Sequence, residues 1–173
     1  LGVRTVFNVL GPLANPAGVK RQVVGVYDAD LQEKVAAVLL ELGAERALVV
    51  RGADGMDELS PCGETLIVRA EAGRGLLIET VTPELAGTRR VKPAEVAGGN
   101  ARDNARALLR LLEGEERGAL LEGTVLNAAA ALVAAGTARD FRQGAEAARA
   151  SVRSGRAREV LERLRKSKKE ASK

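Results

Sequence analysis

The chain has 173 residues, of which 46% are hydrophobic and only 2% aromatic, and its formal net charge is +4. This length supports one domain, whose core must be built mainly from Ala, Val and Leu. The absence of histidine excludes a Ser-His-Asp triad and a histidine-ligated zinc ion, and the single cysteine, Cys62, excludes an intrachain disulfide and fits a reducing cytoplasm.

The first half of the chain has the pattern of a β–α–β unit. The runs QVVGVY at residues 22–27 and ALVV at 47–50 predict two buried strands. Between them, Asp30 is placed to begin a helix with Glu33 in a capping box, and Gly43 is placed to end it. Because the two strands should be parallel, the segment after the second strand leaves the carboxyl edge of the sheet, where open α/β sheets bind ligands.

The second half predicts a hairpin followed by helices. Residues 65–70 and 75–81 have the pattern of two strands joined by a glycine-containing turn. The segment TPELAGTRRVKPAEVAGG that follows is expected to be a loop with one helical turn. Helices are then predicted in four places: after a cap at Asn100 or Asp103, with Ala105, Leu108, Leu109 and Leu112 on one face; at 119–135, as a buried helix; around 139–154; and around 156–168.

These elements predict an α/β fold, with a parallel β–α–β unit in a central sheet that is flanked by helices. We expect a single domain over residues 1–168 and a disordered basic tail at 169–173.

Positive charge is concentrated at the carboxyl end. Residues 151–173 hold nine Lys and Arg and three Glu, whereas the rest of the chain holds 18 basic and 20 acidic residues. A basic segment can contact nucleic acid, but this one has no aromatic side chain for base stacking. The acidic body argues against nucleic acid as a partner. No apolar run reaches the roughly 18 residues of a membrane span, so a membrane is not expected as a partner either.

The stretch RGADGMDELSP, residues 51–61, carries three carboxylates directly after the second strand. In a loop, the side chains of Asp57 and Glu58 can turn toward the same ion or its waters. Two carboxylates without histidine or cysteine favour a hard cation, Mg²⁺ or Mn²⁺, over zinc. Most such pairs in loops are solvated turn residues, but the position at the end of a β–α–β strand raises the weight of a metal role.

Two further stretches are rich in glycine or proline. GPLANPAG, residues 11–18, is either a rigid connection or a preformed wall for a planar ligand, in which Gly11 allows close approach and Pro12 offers a flat apolar face. The pair Gly98-Gly99 before Asn100 could present backbone N–H groups to an anion. Because no GKS or GKT follows, a structural turn is expected there.

Three motifs in order, RTVFNVLGPLANPAG, GADGMDELSP and NAAAALVAAG, resemble the anthranilate phosphoribosyltransferase family. The resemblance implies a nucleoside phosphorylase/phosphoribosyltransferase-like C-terminal domain. It implies an enzyme of tryptophan biosynthesis that joins anthranilate to the ribose of phosphoribosyl pyrophosphate, releases pyrophosphate, needs Mg²⁺ and forms a homodimer when complete. The family's metal-binding pair falls on Asp57 and Glu58, and its anthranilate contacts fall on Gly11 and Pro12. No metal role is carried onto Asp54, and no residue is expected to act as an acid or a base.

Some parts of the family pattern are not found from Leu1 onward. These are the glycine-rich pyrophosphate loop, a phosphate-binding Lys-Asn segment and the arginine that grips the anthranilate carboxylate. The opening LGVRTVFN also reads as the middle of a longer sequence. We therefore expect a partial chain that is inactive alone. The alternatives are a pentosyltransferase with another acceptor, a non-catalytic nucleic-acid-binding relative that uses the basic tail, and a remnant without activity.

Overall fold

The computed structural model describes residues 11 and 13–171, and this part of the chain contains a mixed four-stranded sheet in the order β1-β2-β3-β4. The strands are β1 (Arg21–Gly25), β2 (Arg46–Gly52), β3 (Thr65–Glu71) and β4 (Gly75–Val81). β1 and β2 pair in parallel, while β2–β3 and β3–β4 pair antiparallel. The predicted parallel β–α–β unit and the predicted hairpin are both confirmed.

The helices of the described part follow the predicted order. They are α1 (Ala29–Glu41), α2 (Ala101–Leu112), α3 (Ala119–Ala135), α4 (Phe141–Arg153) and α5 (Arg156–Ala171), with a 3₁₀ turn at Pro93–Glu95. Asn100 is the residue that caps α2, where its side chain accepts hydrogen bonds from the N–H groups of Arg102 and Asp103. None of these helices is both long enough and apolar enough to cross a membrane. The domain boundary at residue 168 stays a prediction.

The start of α1 differs from the prediction. Asp28 is the N-cap, with extended backbone angles, and its carboxylate accepts a hydrogen bond from the N–H of Asp30 at 3.0 Å. The capping box predicted for Asp30 and Glu33 is therefore wrong, because the backbone turns into the helix two residues earlier, at the first aspartate of the pair. The end was predicted correctly: Leu42 is the C-cap, and Gly43 follows it with a left-handed φ of 83°.

Helices cover both faces of the sheet. Along β2, Ala47 and Val49 belong to a core cluster with α1, whereas Leu48 and Val50 belong to a second cluster with α3. This alternation is expected for a central strand that is buried on both sides. The result is a three-layer α/β/α arrangement, which confirms the predicted fold class.

Helix α3 is buried because its neighbours surround it. One side packs on the sheet, and the other side packs against α2 and α4 in a third core cluster that includes Leu111, Val125 and Ala145. At the crossing of α3 and α4, a Cβ at Gly144 would stand 2.9 Å from the backbone of Ala129, so the two helices meet through small residues. The predicted buried helix at 119–135 is confirmed.

The predicted apolar face of α2 is not the part of the helix that is most buried. Leu111 is 1% exposed, whereas Leu108, one of the four residues on the predicted face, is 45% exposed. The reason is that α2 joins the core only at its carboxyl end, where Leu111 and Leu112 pack against α3. Leu108 lines an open cleft, which is described below.

Candidate functional site

The acidic loop, residues 53–64, connects β2 to β3 at the carboxyl edge of the two parallel strands. Two backbone hydrogen bonds fasten its base. The N–H of Gly52 donates to the carbonyl of Met56 at 2.8 Å, and the N–H of Ala53 donates to the carbonyl of Glu64 at 2.8 Å. The loop is therefore a structured turn at the sheet edge where a ligand was expected.

The carboxylate of Asp54 forms hydrogen bonds within this turn. Its Oδ1 accepts the N–H of Met56 at 3.2 Å, and its Oδ2 accepts the hydroxyl of Ser60 at 2.5 Å. The carboxylate is thus occupied by two donors of its own loop. Asp54 is a turn residue, as expected, and holds the loop closed around Ser60.

Asp57 and Glu58 differ from Asp54. Both are exposed, and neither carboxylate forms a hydrogen bond or an ion pair with another described residue. The described residues contain no group of three or more His, Cys, Asp or Glu that could hold a metal ion. Magnesium typically takes one or two protein carboxylates and completes its octahedral shell with water and phosphate oxygens. The donor set therefore fits a Mg²⁺ ion that is shared with a phosphate-bearing ligand.

The loop backbone on both sides of the carboxylate pair is fixed. Asp57 lies against the end of β1, where a Cβ at Gly25 would stand 1.5 Å from the Asp57 carbonyl oxygen. Leu59 is fully buried in the core between the sheet and α3. Its N–H donates to Oδ1 of Asn127 at 2.9 Å, and Nδ2 of Asn127 donates to its carbonyl at 3.0 Å. Two carboxylates that no other described side chain pairs with thus lie on an anchored backbone.

A cleft of about 890 Å³ adjoins Glu58. Its walls are the acidic loop, residues 95–99, α2 and the first half of α3. Among the described residues, the charged side chains that line it are Glu58, Glu95, Asp103, Arg110 and Glu116. Four carboxylates against one guanidinium favour cations over free phosphate. A phosphate group would therefore be expected here only together with its metal ion.

The glycine pair before α2, expected to be a structural turn, lies in an irregular segment that lines the cleft. The N–H of Gly99 donates to Oδ1 of Asn104 at 2.9 Å, and Nδ2 of Asn104 donates to the carbonyl of Gly99 at 3.1 Å. The Oδ1 of Asn100 accepts the N–H groups of Arg102 and Asp103 in the first turn of α2. These donors are therefore already used within the protein.

The predicted acceptor residues are described only in part. Pro12 lies outside the described residues, and Gly11 is exposed. No atom of Asp57 or Glu58 stands within 4 Å of a Cβ built at Gly11. The anthranilate contacts of Gly11 and Pro12 stay a prediction.

Sequence reasoning missed two polar residues of α3. Asn127 holds the acidic loop, and Glu122, which is 7% exposed, accepts hydrogen bonds from Arg149 Nη2 at 2.6 Å and from the N–H of Arg89 at 2.9 Å. Burial alone would raise the pKa of Glu122, but these hydrogen bonds and the nearby positive charges lower it. The available signal was the presence of polar residues in a helix that is apolar nearly all round, since buried polar groups need partners.

Comparisons with known proteins support the predicted fold and the family resemblance that was drawn from the three motifs. Residues 1–158 match the family described as "Glycosyl transferase family, a/b domain". The anthranilate phosphoribosyltransferase of Paramagnetospirillum magneticum is 49% identical over 164 residues, which cover 95% of this chain and 47% of the relative. The chain thus spans about half the length of the relatives that it matches.

Solved structures give the same result. The anthranilate phosphoribosyltransferase of Thermus thermophilus has a TM-score of 0.85 at 42% identity, covering 94% of this chain and 47% of that one. The Saccharomyces cerevisiae enzyme, solved in complex with PRPP and Mg, has a TM-score of 0.82 at 28% identity, covering 93% and 46%. The family match over residues 1–158 and the shared α/β fold lead to one conclusion: this chain belongs to the glycosyl transferase family, a/b domain.

Proposed function

We propose that this chain takes part in the transfer of the phosphoribosyl group from phosphoribosyl pyrophosphate (PRPP) to anthranilate, with release of pyrophosphate. The observation that carries the proposal is the pair of exposed carboxylates, Asp57 and Glu58, which have no partner among the described residues and lie on an anchored loop at the carboxyl edge of two parallel strands. It is supported by relatives of that activity, one of them solved with PRPP and Mg.

In this proposal, Asp57 and Glu58 hold Mg²⁺, directly or through its waters. When bound, the ion supplies Lewis-acid stabilisation for the charge that grows on the departing pyrophosphate. The two side chains act as neither acid nor base. The chain's lack of histidine is compatible with this reaction, because the aniline nitrogen of anthranilate is neutral at pH 7 and already nucleophilic.

The remaining contacts are proposals as well. Gly11 and Pro12 would form one wall for the flat ring of anthranilate. Association as a homodimer and a location in the cytoplasm stay predictions; the single cysteine is consistent with the latter. Because the chain spans about half of its relatives, it would supply the metal carboxylates and one wall of the acceptor site rather than every contact to PRPP.

The proposal can be tested in a chimera. Residues 1–173 replace the matching half of the T. thermophilus enzyme, and anthranilate fluorescence is followed after PRPP and Mg²⁺ are added. We expect fluorescence to fall with the chimera and to stay constant when the chimera carries Asp57→Asn and Glu58→Gln. Circular dichroism and size-exclusion chromatography check that both chimeras fold.

Two outcomes would contradict the proposal. If anthranilate fluorescence falls at the same rate with the folded chimera and with its double variant at low Mg²⁺, the carboxylate pair does not hold the metal ion. Release of pyrophosphate with another acceptor, together with unchanged anthranilate fluorescence, would favour the alternative of a different pentosyltransferase.

A further inference from the structure

Asn127 of α3 clamps the backbone of the residue that follows the carboxylate pair. Its Oδ1 accepts the N–H of Leu59 at 2.9 Å, and its Nδ2 donates to the carbonyl of Leu59 at 3.0 Å. The same Nδ2 donates to the carbonyl of Gly123, one helical turn earlier, at 3.1 Å. Three hydrogen bonds therefore fix the orientation of the amide, and with it the peptide groups on both sides of Leu59.

The surroundings restrict the movement of Asn127 and Leu59, whose hydrogen-bonded pair is called the clamp below. The side chain of Leu59 is fully buried, and Pro61 lies next to α3, where a Cβ at Gly123 would be in van der Waals contact with its Cγ at 3.4 Å. By contrast, Glu58, whose carbonyl precedes the clamped N–H, is exposed. Asn127 thus fixes the backbone on the carboxyl side of Glu58, whereas the side chain of Glu58 remains available to a ligand.

We propose that Asn127 is a positioning residue that orients Asp57 and Glu58 toward a common divalent cation. The inference rests on the metal role given to this pair under the proposed function. Two adjacent carboxylates meet at one ion only in a restricted set of backbone conformations, and a loop that already has such a conformation loses less entropy on binding. Asparagine suits this task because it carries both a donor and an acceptor, whereas leucine, of similar size, carries neither.

The chain contains a matched control for the clamp itself. Asn104 of α2 binds the N–H and the carbonyl of Gly99 with the same pair of amide atoms, at 2.9 and 3.1 Å. Asn104→Leu removes two hydrogen bonds of the same kind from a turn that does not carry the two carboxylates. Comparing it with Asn127→Leu separates a general loss of loop bonds from an effect on the ion site.

The experiment titrates Mn²⁺, as the metal alone, into the 173-residue chain and follows the paramagnetic broadening of its backbone amide signals. In the parent chain we expect selective broadening at residues 56–59. Asn127→Leu should need about tenfold more Mn²⁺ for equal broadening, as is typical when a residue that orients a metal ligand is lost. Asn104→Leu should behave as the parent does. Amide signals remote from the loop report whether each variant is folded, and Asn127→Ala serves as a second variant if the leucine variant is not.

The unfavourable outcomes are distinguishable. If the parent chain and the Asp57→Asn, Glu58→Gln variant show the same broadening, the metal role of the pair fails, and the inference fails with it. If the parent broadens selectively and the folded Asn127 variants respond at the same Mn²⁺ concentration, only the positioning role is overturned.

Discussion

Gly25, the last residue of β1, leaves room for the main chain of Asp57. A Cβ at position 25 would stand 1.5 Å from the Asp57 carbonyl oxygen and 2.5 Å from its carbonyl carbon. Real Cβ atoms do not approach backbone so closely, so any side chain here must displace the strand end or the acidic loop. The contact couples the edge of the sheet to the residue that is proposed to bind Mg²⁺.

Gly25→Ala should therefore disturb both stability and metal binding. We expect the free energy of unfolding to fall by about 2 kcal/mol, as is usual for overpacking against a rigid neighbour. We also expect selective Mn²⁺ broadening at residues 56–59 to weaken, because the Asp57 backbone has to move. Urea denaturation and the Mn²⁺ titration measure the two effects.

Gly63→Ala is the matched control in the same loop. A Cβ at Gly63 meets no atom within 4 Å, so we expect the free energy of unfolding to change by less than about 1 kcal/mol. Equal stability and equal Mn²⁺ response in the two alanine variants would show that the loop accommodates a side chain at position 25.

The position of the acidic loop was predictable from sequence, whereas the contacts that hold it were not. QVVGVY and ALVV are local signals, and a β–α–β crossover allows essentially one handedness, so the sheet edge followed from the order of the elements. The pair of Asn127 and Leu59 is separated by 68 positions, and finding it requires the rotation of α3 about its axis. No local pattern carries that information.

The N-cap of α1 and the burial of α2 could not be predicted for similar reasons. Asp28 and Asp30 both have the residue type of an N-cap, and the geometry of the turn after β1 decides between them. On α2 the spacing places four apolar residues on one face, but the burial of each residue depends on which neighbouring elements reach it. The described neighbours reach Leu111 and leave Leu108 on the cleft.

Asp54→Ala should loosen the acidic loop. The change removes the acceptors of the Met56 N–H and of the Ser60 hydroxyl, which lies only 2.5 Å from Oδ2. We expect a loss of about 1–2 kcal/mol in the free energy of unfolding, together with faster amide hydrogen exchange at Met56. Glu64→Ala, an exposed change in the same loop, is the control and should leave both measurements close to those of the parent. Unchanged exchange at Met56 in the Asp54 variant would contradict this account.

Glu122→Gln should make the protein less stable in a way that depends on pH. The folded-state pKa of Glu122 is lowered from 4.5, so the ionised carboxylate contributes stability above that pH and loses it as the pH falls through the folded pKa. We expect a deficit of about 2 kcal/mol at pH 7, since hydrogen bonds to a charged group are lost, and a smaller one below about pH 4. Urea denaturation at both pH values measures the difference.

Glu84→Gln is the control for burial. Two hydrogen bonds from Arg90 lower the pKa of Glu84 to about 2, but the Arg90 and Glu84 side chains are 47% and 55% exposed. Water and salt screen such a pair, so the deficit should be smaller than that of Glu122→Gln and should shrink further in added salt. Equal deficits in both variants would mean that burial of the Glu122–Arg149 pair is unimportant.

Arg46→Met should release the carboxyl end of α3. Nη1 of Arg46 donates to the carbonyl of Val133 at 3.0 Å, and Nη2 donates to Glu71 at 2.6 Å. The carbonyl of Val133 also accepts the N–H of Gly136 at 3.0 Å, so Arg46 adds a second donor there, and its positive charge interacts favourably with the helix dipole. Arg74 contacts the same Glu71 at 3.3 Å but is 80% exposed, so Arg74→Met removes a partner of Glu71 without touching α3.

We expect urea denaturation to show a loss of about 2 kcal/mol for Arg46→Met and less than about 0.5 kcal/mol for Arg74→Met, because only the first breaks a half-buried pair that also caps a helix. Matching losses in the two variants, with unchanged amide exchange at the end of α3, would assign the effect to Glu71 alone.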